Sequence, residues 1–491
     1  MRWVKAHKYQ HLLHGAFHGA GCACMRPEVQ NVCARIEHAI SRRTLLGGLA
    51  ALISAPALGT ISPAFAQPAS RPTLLRNGRI FDGVSSTLLE GRNILVDDGR
   101  IKAMPGADET VADAEIIDCT GKTLMPGLID AHWHTLLAAI PLTVAMTADV
   151  AYLHLVAAEE AQKTILRGFT TVRDMGGPSF ALKRAIDENR IAGPRIFPSG
   201  AMISQTSGHG DFRSRRELPR AFEMGMSDAE KAGISAIADG VPEVLRRTRE
   251  QLMLGASQVK IMVGGGVSSL YDPLDSIQFT REEVRAAVEA TSDWGTYVCA
   301  HVYTAPGIKR ALSNGVRCIE HGQLADEEAV RQMADTGAWW SIQPFLADDD
   351  SNPKSLPEQR AMQELIAEGT VRAFDLGRDF KVKMAWGTDI LFNPAGTRTQ
   401  GKQLAKTARW LGNDGALRMA TSGNGELLAL SGGRSPYRGQ IGVLSPNAYA
   451  DILAIDGNPL EDISLISDPE KNMKLIMKDG RIYKNTLADQ R

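Results

Sequence analysis

Six side chains of types that bind metal ions lie at the ends of short apolar runs: His132, His134, Lys260, His301, His321 and Asp389. His132 and His134 are two positions apart, and residues i and i+2 of a strand point to the same side. Two imidazoles side by side at the end of a strand can bind one metal ion. The pattern therefore predicts a metal site built from the ends of several strands.

The middle of the chain alternates strand-like and helix-like segments, and this alternation indicates how the six residues meet. Strands are predicted at 124–134, 170–175, 195–200, 258–263, 296–303, 317–321, 338–344 and 383–389. Longer helical patterns lie between them. Eight such units predict an α/β fold, a (β/α)8 TIM barrel with its active site at the carboxyl ends of the strands. The six residues then lie at the ends of strands one, four, five, six and eight.

Segments rich in short strands lie on both sides of this middle part. Turn dipeptides such as Asn77-Gly78 and Asp98-Gly99 indicate hairpins before it, and Asp479-Gly480 indicates one after it. We predict a small β-sandwich domain formed by both chain ends. Its two parts would be 67–123 and 436–491, and the barrel would occupy 124–435.

The first part of the chain is typical of an export signal. A twin arginine at 42–43 precedes a mildly apolar stretch, rich in glycine and alanine, that ends at Ala66. Residues 1–66 are therefore predicted to be an N-terminal extension with a twin-arginine signal peptide, and the protein to be periplasmic or secreted. Glycines and prolines in the segment argue against a stable membrane anchor.

The composition fits a large protein with a small-molecule substrate. The chain has 491 residues, of which 44% are hydrophobic, enough for more than one domain. With 55 basic and 56 acidic residues the net charge is −1, so no nucleic-acid partner is predicted. Cys119, Cys299 and Cys318, the cysteines beyond the signal, are too few for a disulfide framework, and the last two read as buried small hydrophobes.

Five stretches, taken in order, resemble the amidohydrolase superfamily of metal-dependent hydrolases. They are 126–134 (PGLIDAHWH), 259–262 (VKIM), 300–303 (AHVY), 319–322 (IEHG) and 386–389 (WGTD). The likeness covers residues 72–485, including the split β domain. Within the superfamily, 263–269 and 421–427 resemble the branch of Xaa-Pro dipeptidase-like enzymes and ochratoxinases, which split amide bonds to a terminal amino acid.

The resemblance implies two divalent metal ions, for which zinc best suits the nitrogen and oxygen ligands and a reaction without redox chemistry, with manganese, cobalt or iron as the alternatives. A lysine ammonium has no lone pair, so Lys260 would be carboxylated by CO2 to a carbamate that bridges both ions. The first ion would be held by His132, His134 and Asp389, and the second by His301 and His321. The predicted reaction is attack of a metal-bridging hydroxide on the amide carbonyl, with Asp389 as general base and then general acid.

Two further residues are predicted to bind substrate. Tyr303 lies two residues beyond His301 and can point into the same mouth, although it fits a packed aromatic equally well. His209 follows strand three in a glycine-rich loop, and we predict that it binds a substrate carboxylate. Arg213 would either assist it or be a surface charge, and His154 is interpreted as structural.

Three other features have more ordinary interpretations. The glycines at 264–266 predict close backbone approach to substrate or a mobile loop, since no phosphate-loop residues follow them. The acidic run at 348–350 is typical of a solvated loop. Trp339 and Trp340 are expected to pack, and one of them could edge the pocket.

The sequence thus predicts an exported, binuclear metal-dependent amidohydrolase. It would cleave an amide or peptide bond to a carboxylate-bearing amino acid, in the manner of a dipeptidase or carboxypeptidase, with ochratoxin-type amides included. One alternative is a hydrolase of cyclic amides or lactones, similar to imidazolonepropionase, on the same metal site. The other is a non-catalytic barrel that binds a ligand. A homo-oligomer is expected.

Overall fold

The computed structural model describes residues 71–217, 225–267, 271–348, 350, 354 and 356–487. All of them fall in one compact unit. The predicted N-terminal extension and signal peptide lie outside the described residues. Within these ranges, none of the helices combines the length and the apolar character that crossing a membrane requires.

The described chain begins with six short strands. They are β1 (Thr73–Arg76), β2 (Arg79–Ile80), β3 (Ile94–Asp97), β4 (Arg100–Ala103), β5 (Glu115–Asp118) and β6 (Lys122–Pro126). Four of them form a sheet in the order β4-β3-β1-β5. Asp98 and Gly99, between β3 and β4, both have positive φ, as the hairpin prediction requires.

The strands of the middle part are parallel to their neighbours. They are β7 (Leu128–Trp133), β8 (Phe169–Asp174), β9 (Arg195–Pro198), β10 (Met202–Ser204), β11 (Ser235–Ile237), β12 (Val259–Met262), β13 (Val298–Thr304), β14 (Cys318–Leu324), β15 (Trp339–Ile342) and β16 (Lys383–Trp386). They form two sheets, β7-β8-β9 and β11-β10-β12-β13-β14-β15-β16. Most of their residues are buried, as expected of parallel strands with both faces covered. The predicted α/β fold with parallel strands is confirmed.

Helices connect most of these strands. They are α1 (Leu142–Thr147), α2 (Val150–Leu166), α3 (Phe180–Asp187), α4 (Asp228–Lys231), α5 (Val241–Leu254), α6 (Arg281–Asp293), α7 (Ala305–Ser313), α8 (Glu327–Thr336), α9 (Pro357–Asp379), α10 (Gln400–Lys406), α11 (Ala408–Arg418), α12 (Asn424–Ala429) and α13 (Pro469–Asn472). Side chains fix several helix starts. Thr280 and Glu283 form a capping box at α6, and Asp326 accepts a hydrogen bond from the Ala329 amide at α8.

Strands from both ends of the chain share one sheet. β17 (Ile452–Asp456), β18 (Met473–Lys478) and β19 (Arg481–Asn485) join β6 and β2 in the order β19-β18-β17-β6-β2. Arg195 of β9 is buried and forms ion pairs with Asp451 and Asp479, which lie beside this sheet. The C-terminal segment is therefore tied to the parallel strands by buried charges.

The predicted first strand, 124–134, was wrong in one respect, because it consists of two strands. Gly127 separates β6, which pairs with β17, from β7, which pairs with β8. A side chain at Gly127 would collide with Thr170. The apolar run continues through this glycine, so hydrophobic pattern alone could not divide it.

The short strands β10 and β11 were not predicted. Each has three residues, and β10 lies between β11 and β12 in the larger sheet. Three residues are too few to show the alternation by which strands are recognised in a sequence. The other eight parallel strands lie within or close to the predicted ranges.

Candidate metal centre

Four of the predicted ligands meet around the end of β7. His132 Nε2 lies 3.0 Å from Lys260 Nζ and 3.3 Å from Asp389 Oδ1. His134 Nε2 lies 3.1 Å from the same carboxylate oxygen. Ligand atoms of His132, His134 and Asp389 all lie within 4.8 Å of one another, which is close enough to hold one metal ion.

The other two histidines lie directly beside this group. The ring centroids of His132 and His321 are 4.9 Å apart, and those of His321 and His301 are 4.5 Å apart. Both side chains are buried on β13 and β14. The structure thus brings together all six residues that the sequence singled out.

A histidine that binds a metal through one ring nitrogen usually donates a hydrogen bond from the other. His132 Nδ1 donates to a carboxylate oxygen of Glu320 at 2.8 Å, since that oxygen can only accept. His134 Nδ1 donates to the Gly176 carbonyl at 3.3 Å. In both rings this leaves Nε2 as the nitrogen that faces Asp389.

The remaining two rings are held in the same way. His301 Nε2 donates to the Gly265 carbonyl at 3.2 Å, which leaves Nδ1 as the candidate ligand atom. His321 Nδ1 donates to Gln343 Oε1 at 2.7 Å, which leaves Nε2. Burial lowers the pKa of both imidazoles well below its usual value, so the rings are neutral at neutral pH. The donor set therefore fits divalent metal ions.

Lys260 differs from an ordinary surface lysine in its burial. Its relative exposure is 2%, and burial lowers its pKa although Asp389 and Glu320 act in the opposite direction. A lower pKa favours the neutral amine, which has the lone pair that reacts with CO2. The environment of Lys260 is therefore suited to carboxylation.

Two of the candidate ligands have an uncommon backbone conformation. His321 has φ of 74° and Asp389 has φ of 52°, in the left-handed region that non-glycine residues rarely adopt. The Asp389 amide donates to the His132 carbonyl at 2.8 Å, and Trp340 Nε1 donates to the His321 carbonyl at 2.6 Å. These bonds hold conformations of the kind that cluster at functional sites.

Sequence reasoning missed the group behind His132. Glu320 is fully buried, and Arg173 donates to its two oxygens at 2.7 and 2.9 Å. Burial acts to raise the pKa of Glu320, but Arg173 outweighs it and holds this pKa well below its usual range. The sequence did contain a signal for this pair. A charged residue within a buried parallel strand is as unusual at Arg173 and Glu320 as it is at Lys260.

We expect Glu320→Gln to weaken metal binding about 10- to 100-fold, the usual cost of losing an outer partner of a ligating histidine. The amide keeps the size of the side chain but leaves the His132 ring without its carboxylate. Competition with a chromogenic zinc chelator measures the effect. Circular dichroism checks that the variant folds without the ion pair between Arg173 and Glu320. A folded variant with unchanged chelator competition would contradict the role given to Glu320.

A cavity of about 420 Å³ opens next to the six residues and is lined by both predicted substrate-binding residues. Tyr303 is buried and stacks on His321 with centroids 4.9 Å apart. His209 stacks on His301 at 3.9 Å, and its Nδ1 lies 2.9 Å from Asp272 Oδ2. The volume suits a small molecule, while contact of either residue with substrate stays a prediction.

Arg213 is neither a surface charge nor part of the cavity wall. It is buried, and it pairs with Asp211 at 2.7 Å and donates to Thr206. It is therefore not available to a substrate. His154 lies on α2, where its ring contacts the carbonyl of Val150, away from the cavity.

One loop interpretation needs correction, and the other stays a prediction. A side chain at Gly266 would collide with the ring of His209, so this glycine allows close approach to protein, while approach of the glycines to substrate stays a prediction. Asp348 and Asp350 are not simply solvated, because both pair with Lys406 of α10, at 2.7 and 2.9 Å. Both tryptophans of β15 are buried as expected, and neither lines the cavity.

Comparison with known proteins agrees with this geometry. A model of the amidohydrolase family matches residues 123–483. The chain belongs to the amidohydrolase family. It is accordingly a hydrolase of amide or peptide carbon–nitrogen bonds, and the resemblance seen in the sequence is confirmed.

Three relatives indicate the branch to which this amidohydrolase is similar. It is 33% identical to the ochratoxinase of Aspergillus niger over 335 residues, which are 66% of this chain and 67% of that one. A prolidase structure complexed with N-methylphosphonate-L-proline is 34% identical, with a TM-score of 0.78 over 84% of this chain and 100% of that one. A Xaa-Pro dipeptidase structure with bound methionine is 29% identical, with a TM-score of 0.73 over 84% and 100% of the two chains.

Proposed function

We propose that this amidohydrolase cleaves dipeptides or N-acyl amino acids with an apolar side chain and releases a carboxylate-bearing amino acid. The observation that carries the proposal is the cluster of four histidines, Lys260 and Asp389 at a cavity of small-molecule size. Similarity to a prolidase, a Xaa-Pro dipeptidase and an ochratoxinase supports this substrate class, with ochratoxin-type amides included.

We propose that the two parallel sheets are parts of one closed (β/α)8 barrel. The Asp389 amide donates a hydrogen bond to the His132 carbonyl, and this contact links the ends of β16 and β7. The Ser257 amide donates a hydrogen bond to the Pro198 carbonyl, and this contact links β9 to the segment before β12. The β-sandwich is supported by one apolar cluster that contains Leu75 of the four-stranded sheet and Leu475 of the five-stranded sheet.

The residues present fit two divalent ions, with zinc the metal expected. His132, His134 and Asp389 would hold one ion, His301 and His321 the other, and Lys260 as a carbamate would contribute an oxygen to each. When bound, the ions would supply an acidified water as nucleophile and polarise the scissile carbonyl.

Asp389 is the residue to which we assign proton transfer. Burial alone would raise the pKa of its carboxyl group, but the imidazoles of His132 and His134 hold this pKa well below its usual range. The group is therefore ionised at neutral pH, which is the form that a general base requires, and we assign to it the transfer of a proton from the attacking water to the leaving nitrogen. Tyr303 lines the cavity, and we propose that its hydroxyl donates a hydrogen bond to the substrate carbonyl oxygen.

The test is metal content and activity of the purified protein. We expect about two zinc ions per chain, hydrolysis of a panel of dipeptides and N-acyl amino acids, loss of activity on chelation and recovery on adding zinc. A parallel panel of lactones and cyclic amides distinguishes the proposed reaction from the alternative one, the hydrolysis of cyclic amides or lactones. Hydrolysis of the second panel alone, or full activity without metal, would overturn the proposal. Export by the twin-arginine route and a homo-oligomer stay predictions.

A further inference from the structure

The charges around the cavity show which group is available to a substrate. Charged side chains of the described residues line it at Lys260, Asp348, Asp350, Lys354 and Asp389. Lys260 and Asp389 belong to the candidate metal centre. The two loop aspartates are neutralised by lysines of α10, because Asp350 pairs with Lys402 at 3.0 Å and both aspartates pair with Lys406.

Lys354 is different from these groups. It lies between β15 and α9 and is half-buried, yet within the described part of the chain its ammonium group has no ion pair or hydrogen bond. Burial lowers the pKa of Lys354, and the carboxylate of Asp389 acts in the opposite direction. Among the described residues, Lys354 is therefore a lysine without a counter-ion that shares the cavity with the candidate metal centre.

The backbone of Lys354 is held at this position from α9. Its amide donates to Gln363 Oε1 at 3.2 Å, and its carbonyl accepts two hydrogen bonds from Arg360, both at 3.3 Å. The same loop is attached to α10 through Asp350. A lysine whose backbone amide and carbonyl are both hydrogen-bonded loses less conformational freedom when its side chain binds an anion.

The other cationic candidates are already engaged. The guanidinium of Arg213 is bound to Asp211 and does not line the cavity. The Nδ1 of His209 is bound to Asp272. A substrate carboxylate that enters the cavity would otherwise face the carboxylate of Asp389 with no full positive charge from the protein beside it.

We propose that the ammonium group of Lys354 binds the carboxylate of the amino acid that the enzyme releases, and so makes a free carboxylate part of substrate specificity. The proposal rests on the proposed function and deepens it. Lys354 is in this role a specificity-determining residue and takes no part in proton transfer.

The experiment compares the best substrate of the amide panel with its C-terminal carboxamide, which has the same shape but no charge. Both are assayed with the zinc-loaded wild type, Lys354→Met and Lys354→Arg. Lys163→Met is the matched control, because Lys163 is an exposed lysine of α2 that pairs only with Glu159 among the described side chains. Each measurement separates kcat from KM.

We expect Lys354→Met to lower kcat/KM for the carboxylate substrate about tenfold or more, mainly through KM, and to change the carboxamide less than about twofold. Lys354→Arg should retain most of the preference, and Lys163→Met all of it. An unchanged preference in Lys354→Met, or an equal loss on both substrates, would overturn the proposal. A wild type inactive on the whole amide panel would instead overturn the proposed function, and this inference with it.

Discussion

Lys260→Ala is expected to abolish at least one metal site and to lower kcat by about a thousandfold or more. The residue is buried with its amine 3.0 Å from His132 Nε2, at the junction of the two histidine pairs. Truncation removes the side chain that, as a carbamate, would contact both proposed ions. Elemental analysis of the purified variant and steady-state kinetics measure the two effects together.

A matched control for this variant is Lys383→Ala, which removes an exposed lysine at the start of β16 that pairs with Glu426. It should keep both ions and full activity. A 13C NMR spectrum after incubation with labelled CO2 should show a carbamate signal in the wild type and none in Lys260→Ala. Two retained ions and near-normal kcat in Lys260→Ala would show that the lysine has no bridging role.

Asp389→Asn is expected to lower kcat about 10³-fold or more while much of the metal is retained. The amide oxygen can still approach a metal ion and the side chain keeps its size, but it cannot accept the proton of the attacking water. The backbone should tolerate the change, because asparagine is among the residues that adopt positive φ most readily. Kinetics and metal content of the same preparation give the result.

Leaving-group dependence distinguishes proton transfer from a purely structural role of Asp389. An anilide with electron-withdrawing groups needs less protonation of its leaving nitrogen than an ordinary amide does. Asp389→Asn should therefore lose less activity on the activated anilide than on the amide. Equal losses on both substrates would assign Asp389 to metal binding alone.

The order of strands and ligands could be predicted because parallel strands bury both faces. A histidine or lysine that ends such an apolar run is conspicuous, and five strand ends supplied all six residues. The division of the predicted strand 124–134 into β6 and β7 at Gly127 could not be predicted. It depends on the pairing of β6 with β17, which lies more than 300 positions later in the sequence.

The outer contacts of the site are much less visible in the sequence. In the sequence, Glu320 is only the residue before His321. Its role depends on Arg173, which contacts it only when β8 and β14 fold into one core. The acidic loop has the pattern of a solvated segment because its partners on α10 follow about fifty positions later. Lys354 does not stand out, because loop lysines are common and only the cavity shows that this one faces inward.

The ion pairs of Arg195 can form only when most of the polypeptide has been synthesised. β9 is made early, but Asp451 and Asp479 and the strands around them are made near the end of synthesis. Until then the arginine lacks these two counter-charges, and burying it without them would cost several kcal/mol. A nascent chain that ends before β17 therefore already holds all six candidate ligands, and we expect the sheet that contains β9 to be less stable until the last strands are translated.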